Sequence, residues 1–262
     1  MKPVLSITHI DTACVLIEIN GYRILTDPTL DNAGHWYYHG YGGISKKTDS
    51  PAVDSSALGD IDLVLLSHHQ HKDNFDDMGK HLTSQVAHVV STHAASLALP
   101  NVTGLADWED TVIVDPRIKW LKITATPAQH RPSWIPQFVS GPVIGFVIEF
   151  YGQENGVIYI TGDTVYFRGV EEVGRRYTIG LGIYHVGKVQ FPYLTGLGKY
   201  TMDGRDLVRA IRATRPRVAI PIHYRGWTHF KENEQTLKDI INREHDIAQT
   251  VQFLVPGTKQ VF

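Results

Sequence analysis

Apolar residues gather in short runs along most of this chain, and the runs fall into two successive series. The first opens as a meander of short β-runs over residues 4–9, 14–19 and 23–26. Asn20-Gly21 separates the second and third runs. Both central residues of a tight hairpin turn need positive φ, which this pair tolerates. Further runs at 63–66, 86–90, 111–114 and 119–125 complete the series. The second series begins with 143–150 and 157–161, joined by the turn-rich Gly152–Gly156, and continues at 179–184, 218–222 and 251–254. Helical periodicity marks 203–213, with Leu207, Val208, Ala210 and Ile211 on one face and Arg205, Arg209 and Arg212 on the other. It recurs over 232–242, with Leu237, Ile240 and Ile241 inward. Two sheets built in sequence, each with helices attached, predict an α/β fold: a four-layer αβ/βα sandwich forming one domain over 1–262. Residues 30–58 follow neither period. They carry His35, Trp36, Tyr37, Tyr38, His39 and Tyr41 among glycines, which predicts either a packed surface loop or a flap over substrate.

Composition narrows the function. The 262 residues are 42% hydrophobic and 20% charged, enough for a substantial core. Twenty-five basic against 27 acidic residues leave a net charge of −2, so no basic face is announced and no nucleic-acid partner is expected. Cys14, the single cysteine, excludes an intrachain disulfide and reads as a small buried residue of a strand. No apolar run approaches the ~20 residues of a membrane span, and the N-terminal stretch lacks the apolar core of a signal peptide. A cytoplasmic protein acting on a small molecule, alone or as a homo-oligomer, is the resulting expectation. The count of 14 histidines raises the prospect of a metal site.

The densest chemistry lies in Leu65-Leu66-Ser67-His68-His69-Gln70-His71-Lys72-Asp73-Asn74-Phe75-Asp76, where an apolar strand runs into three imidazoles and two carboxylates. Ligands two apart at a strand end point the same way, a spacing met by His69, His71 and Asp73. Adjacent imidazoles would repel one another if protonated, and a metal ion favours their neutral form. The plainer alternative is a polar turn capping the next helix through Asp73 or Asn74.

This segment resembles the H-x-H-x-D-H signature of the metallo-β-lactamase superfamily, and further elements of that family's pattern follow in order. His130 stands just after a strand in Thr124-Ala125-Thr126-Pro127-Ala128-Gln129-His130. Asp163 stands in the strand-Gly-Asp turn Tyr159-Ile160-Thr161-Gly162-Asp163-Thr164, and His223 ends Ile220-Pro221-Ile222-His223. Thr26-Asp27-Pro28 is similar to the family's early T-D-P element. The resemblance implies that His69, His71 and His130 hold one ion, that Asp73 and His223 hold a second, and that Asp163 bridges them. Zn²⁺ suits such a set, in one or two ions, and Mn²⁺ or Fe²⁺ is compatible with it. The implied activity is hydrolysis by metal-activated hydroxide, with Asp73 orienting the water or handling its proton.

Two departures qualify the match. Asn74 stands where the signature has histidine, which predicts a weaker second site. His68 beside His69 leaves the register open; His69 is preferred because it restores the usual spacing. Tyr184-His185-Val186-Gly187, Tyr200-Thr201-Met202-Asp203 and Gly226-Trp227-Thr228-His229-Phe230 resemble the branch containing ascorbate-6-phosphate lactonases and the phospholipase D that cleaves N-acyl phosphatidylethanolamines. On that resemblance His185 and His229 are expected to face the active site as catalytic residues. His9, His81, His88, His93 and His245 read as ordinary core or loop histidines. Arg131, Arg225 and Lys188 follow candidate histidines closely, and if they line the mouth the substrate is anionic. The leading reading is therefore a hydrolase of an ester, lactone or phosphodiester. The alternative is a non-catalytic ligand-sensing protein on the same fold.

Overall fold

The computed structural model describes residues 3–262. Its strands in chain order are β1 (Leu5–Asp11), β2 (Cys14–Ile19), β3 (Tyr22–Thr26), β4 (Trp36–Tyr38), β5 (Ile44–Lys46), β6 (Leu63–Leu65), β7 (His88–Thr92), β8 (Val102–Leu105), β9 (Asp110–Ile113), β10 (Leu121–Pro127), β11 (Ile144–Phe150), β12 (Val157–Ile160), β13 (Ile179–His185), β14 (Val218–Ile222) and β15 (Gln260–Val261). The helices are α1 (Asp77–Thr83), α2 (His93–Ala98), α3 (Gln137–Ser140), α4 (Arg168–Arg176), α5 (Pro192–Thr195), α6 (Gly204–Thr214) and α7 (Glu234–Ile241).

One sheet has the order β15-β1-β2-β3-β6-β7-β8 and the other β14-β13-β12-β11-β10-β9. Their inner faces meet in a core that includes Ile17, Ile24, Leu65, Ile123, Phe146, Ile160, Ile183 and Ile220. A second cluster, with Val170, Val173, Leu207, Ile211 and Leu237 against Tyr159 and Tyr184, seats α4, α6 and α7 on the outer face of the second sheet. A third, with Leu25, Val64, Leu66, Phe75 and Val86, covers the outer face of the first. The result is the αβ/βα sandwich expected of the pattern. The Asn20-Gly21 hairpin forms with φ of 51° and 83°, and β1 pairs with β2, and β2 with β3, in antiparallel register.

Three expectations need correction. Residues 251–254 contribute only a bridge from Val251 to Ala219 rather than a strand. The 30–58 segment is not wholly irregular, because β4 and β5 form a small antiparallel hairpin within it. The helix after the histidine cluster is capped by neither Asp73 nor Asn74 but by Asp76, whose Oδ1 accepts the Gly79 N–H at 2.9 Å. Cys14 is buried and unpaired. Among the described residues, no helix is long and apolar enough to cross a membrane.

The topology creates one chemically loaded rim. β3 and β6 run parallel, as do β12, β13 and β14, and β10 is two antiparallel steps from β12. The segments leaving the C-terminal ends of these strands carry Asp27, His68–Asp73, His130, Asp163 and His223, while His185 ends β13 itself.

Candidate metal centre and active site

Three imidazoles converge from two of these strand ends. His68 Nε2 lies 3.0 Å from His71 Nδ1, and His130 Nε2 lies 3.1 Å from the same nitrogen. A ring nitrogen has one lone pair or one proton, so His71 Nδ1 cannot be well paired with both neighbours at once. Burial pushes the His71 imidazolium down to about 3, helped by the neighbouring His130. Burial likewise holds His68 well below the usual histidine range and lowers His130. The three rings are therefore neutral and offer lone pairs to a shared point.

Beside them, Asp73, Asp163 and His223 form a second group whose ligand atoms all lie within 4.8 Å of one another. His223 Nε2 is 3.5 Å from Asp163 Oδ1 and 3.7 Å from Asp73 Oδ2. Burial alone would raise the Asp73 carboxyl. The hydrogen bond from His229 and the nearby His39 and His223 outweigh it and hold the group well below the carboxylate range. Asp163 is likewise depressed, with His223, His130 and His185 overcoming its burial. Asp73 Oδ1, Asp163 Oδ2 and His223 Nε2 are buried without a hydrogen-bond partner. Buried ionised oxygens and a ring nitrogen left unpaired are costly unless a cation takes their lone pairs. The residues present fit one or two divalent ions with nitrogen and oxygen ligands, the chemistry that suits Zn²⁺ and is compatible with Mn²⁺ or Fe²⁺.

The structure brings His68, and not the His69 preferred from the sequence, into the cluster with His71 and His130. Strand β6 ends at Leu65, and the chain then passes through turns, so a spacing of two no longer selects one face. His68 is fully buried, and its Nδ1 is fixed by Ser67 Oγ at 2.9 Å. His69 is half-buried, with its imidazole pushed down by burial and by Lys80. Asn74 donates from Nδ2 to Ser67 Oγ at 3.3 Å. It braces the serine that braces His68.

Neighbouring groups set the ligands' orientation. His185 Nδ1 lies 2.9 Å from Asp163 Oδ1, and His229 Nε2 lies 2.9 Å from Asp73 Oδ2. His130 Nδ1 lies 3.0 Å from the Tyr200 carbonyl, which as acceptor fixes the proton on Nδ1 and frees Nε2 for the cluster. Asp27 supports the floor by accepting the Ser67 N–H at 2.7 Å, and burial pushes its carboxyl up to about 8 despite that bond. His223 sits at φ 64°, a left-handed conformation costing on the order of 1 kcal/mol. Its N–H donation to the Thr12 carbonyl at 2.9 Å holds it there. Gly162 (φ 61°) makes the turn that delivers Asp163, and a Cβ there would meet the Ile144 carbonyl oxygen at 2.4 Å.

Sequence reasoning missed His39. The β4–β5 hairpin brings its Nδ1 to 3.6 Å from Asp73 Oδ1, while its Nε2 lies 2.7 Å from Ser45 Oγ. The signal was the aromatic glycine-rich segment itself, which has no period to show which side chain turns inward. His39, Gly43, Val139, Phe191, Leu194 and Tyr200 wall a pocket of about 430 Å³, open mouth included, that reaches His71, Asp73 and His130. The basic residues expected at the mouth are engaged elsewhere. Arg131 Nη1 donates to the Ile135 carbonyl at 2.7 Å, Arg225 pairs with Asp49 at 2.9 Å, and Lys188 lies 3.5 Å from Glu232.

Comparison with known proteins agrees with this architecture. The family model for the beta-lactamase superfamily domain matches residues 22–224. A UPF0173 metal-dependent hydrolase of Caldivirga maquilingensis is 25% identical over 226 residues, covering 86% of this chain and 84% of that protein. One from Methanosphaerula palustris is 26% identical over 247 residues, covering 91% and 92%. Among solved structures, an isothiocyanate hydrolase from Delia radicum gut bacteria superposes with a TM-score of 0.81 at 20% identity, covering 98% of this chain and 99% of its own. A metallo hydrolase of the archaeon Ignicoccus hospitalis gives 0.70 at 22%, covering 99% and 98%. At those identities the two structures speak to fold alone.

Proposed function

Because the chain belongs to the metallo-β-lactamase superfamily and is a metal-dependent hydrolase, we propose that it cleaves an ester, lactone or phosphodiester bond at the centre formed by His68, His71, His130, Asp73, Asp163 and His223. The observation carrying this reading is the set of buried, unpartnered oxygens and nitrogens that converge from separate strand ends. His68, His71 and His130 would hold one ion, Asp73 and His223 a second, and Asp163 would lie between them. When bound, such cations lower the pKa of water from 15.7 toward about 7 and polarise the oxygen of the scissile group.

The chain's own residues do the remainder. Asp73 Oδ1, buried and unpartnered, would take a proton from the attacking water, while His229 Nε2 fixes Oδ2 of the same carboxylate. Water adds its oxygen to the carbonyl carbon or phosphorus, the bond to the leaving oxygen breaks, and the proton held at Asp73 is returned to that oxygen. His185 keeps Asp163 in place from behind, and the β4–β5 hairpin with His39 shields the centre from bulk water.

Kinship with the ascorbate-6-phosphate lactonase and N-acyl phosphatidylethanolamine phospholipase D branch rests on His185 and the segment around His229. The anionic substrate considered with that branch draws no support from Arg131, Arg225 or Lys188, whose charges are engaged elsewhere. The test is elemental analysis of the purified protein, followed by assay on p-nitrophenyl butyrate and bis-p-nitrophenyl phosphate before and after chelation and again after adding Zn²⁺ or Mn²⁺. Turnover that chelator abolishes and metal restores is expected. Tight metal binding with no turnover of any ester or phosphodiester would favour the ligand-sensing alternative.

A further inference from the structure

The pocket over the metal centre has a chemical character that the hydrolase reading does not itself specify. Val139, Val189, Phe191, Leu194 and Tyr200 supply its walls, and among the described residues no lysine or arginine lines it. Ser140, also in the lining, is buried, and its Oγ has no hydrogen-bond partner. A hydroxyl can serve an uncharged oxygen or nitrogen without compensating a full charge.

The rim continues this character. Tyr41, Phe138 and Tyr193 are exposed at 60, 70 and 65%, and they come from three separate segments. The Tyr41 and Phe138 rings lie 6.4 Å apart. The Tyr193 hydroxyl accepts the Ile44 N–H at 3.0 Å and donates to the Gly42 carbonyl at 3.2 Å, tying the α5 segment to the β4–β5 hairpin. Exposed aromatic groups gathered around a concave site mark a surface suited to apolar ligand. Only about 40 Å³ of the pocket admits the centre of a water-sized sphere, which suits a small group such as a short chain.

Resting on the hydrolase reading above, we propose that the substrate carries a small, uncharged, apolar group beside its scissile bond, seated between Phe191, Leu194, Val139 and Tyr200. A carboxylate or phosphate seated against these apolar walls would be desolvated with no lysine or arginine beside it, a penalty that excludes such substrates by at least about tenfold in specificity.

The experiment compares p-nitrophenyl butyrate with mono-p-nitrophenyl succinate, which differs by a terminal carboxylate, on metal-loaded protein. After correction for spontaneous hydrolysis, kcat/KM is expected to favour the butyrate by about tenfold or more. Leu194→Lys, at a partly exposed position, should shift that ratio toward the succinate by about tenfold with metal content unchanged. Equal or faster turnover of the succinate by the wild-type protein overturns the inference while leaving the hydrolase reading intact. Should neither ester be turned over, saturation-transfer NMR with N-benzylacetamide and its 4-carboxy analogue decides the matter. Binding of the neutral compound alone supports the pocket assignment although the hydrolase reading has failed; equal binding of both, or of neither, overturns it.

Discussion

Lys47 is fully buried, an unusual place for an ammonium, and replacing it with methionine perturbs the hairpin that covers the site most directly. Its Nζ lies 2.7 Å from Asp11 Oδ2 and 3.2 Å from Asp76 Oδ2, both carboxylates being buried. The same residue closes the covering segment through backbone bonds with Gly34 and His35, at 2.9 and 3.0 Å. Lys47→Met keeps the stem and strands two carboxylates, and removing one partner of a buried ion pair costs about 3–5 kcal/mol. For a domain of this size that is a fall in Tm of roughly 6–20 °C. The pH dependence supplies a second signature. Burial already pushes Asp11 up to about 6 even beside Lys47, and Asp76 is raised by the same cause. An acid whose folded pKa is raised contributes stability that is full below its unfolded value of 3.8 and is lost as pH rises through the folded value. Without Lys47 that value rises further, so the variant's deficit should be larger at pH 8 than at pH 5.5. Thermal or urea unfolding at the two pH values measures it. A loss under about 1 kcal/mol at pH 8, or a deficit independent of pH, would refute the claim that this buried charge cluster anchors the hairpin.

Other outcomes follow from single residues. His9 is buried with Nε2 3.1 Å from the Thr12 carbonyl, and burial pushes its imidazolium down from 6.5 to about 4. The unfolded chain therefore binds the extra proton first, and stability falls by about 3 kcal/mol as pH drops from 6.5 to 4; His9→Gln should flatten that part of the stability profile. His185→Ala should weaken metal affinity by about 10–100-fold, because Asp163 loses the partner that orients it. Calorimetric metal titration showing unchanged affinity would remove His185 from the support of the centre.

The sandwich was legible because its strands carry their pattern locally. Residues 14–19 are apolar at every position but Glu18 and stop at Asn20-Gly21, and residues 204–214 hold an apolar face long enough to register. The short or polar helices were not legible. In α4, only Val170 and Val173 are apolar and buried, too few to show a period. The sequence preference for His69 over His68 rested on alternation, which is a property of extended backbone and lapses two residues beyond Leu65, where Ser67 and Asn74 rather than a pleat set the position of His68. His39 lay hidden because tertiary contacts position its hairpin, among them the bridge from Lys47 to Trp227 and the bond from the Lys46 N–H to Thr228 Oγ1 at 3.0 Å. Arg131, Arg225 and Lys188 were suggestive by proximity in sequence, which says nothing of where a long side chain finds its partner.

Metal content of the purified wild-type protein, His68→Ala and His69→Ala, measured by plasma mass spectrometry after equilibrium dialysis against limiting Zn²⁺, bears most directly on the convergent cation site. Loss of bound metal in His68→Ala, with His69→Ala retaining the wild-type amount, is the expected result. Full retention in His68→Ala together with loss in His69→Ala would contradict the geometry on which the catalytic assignment depends.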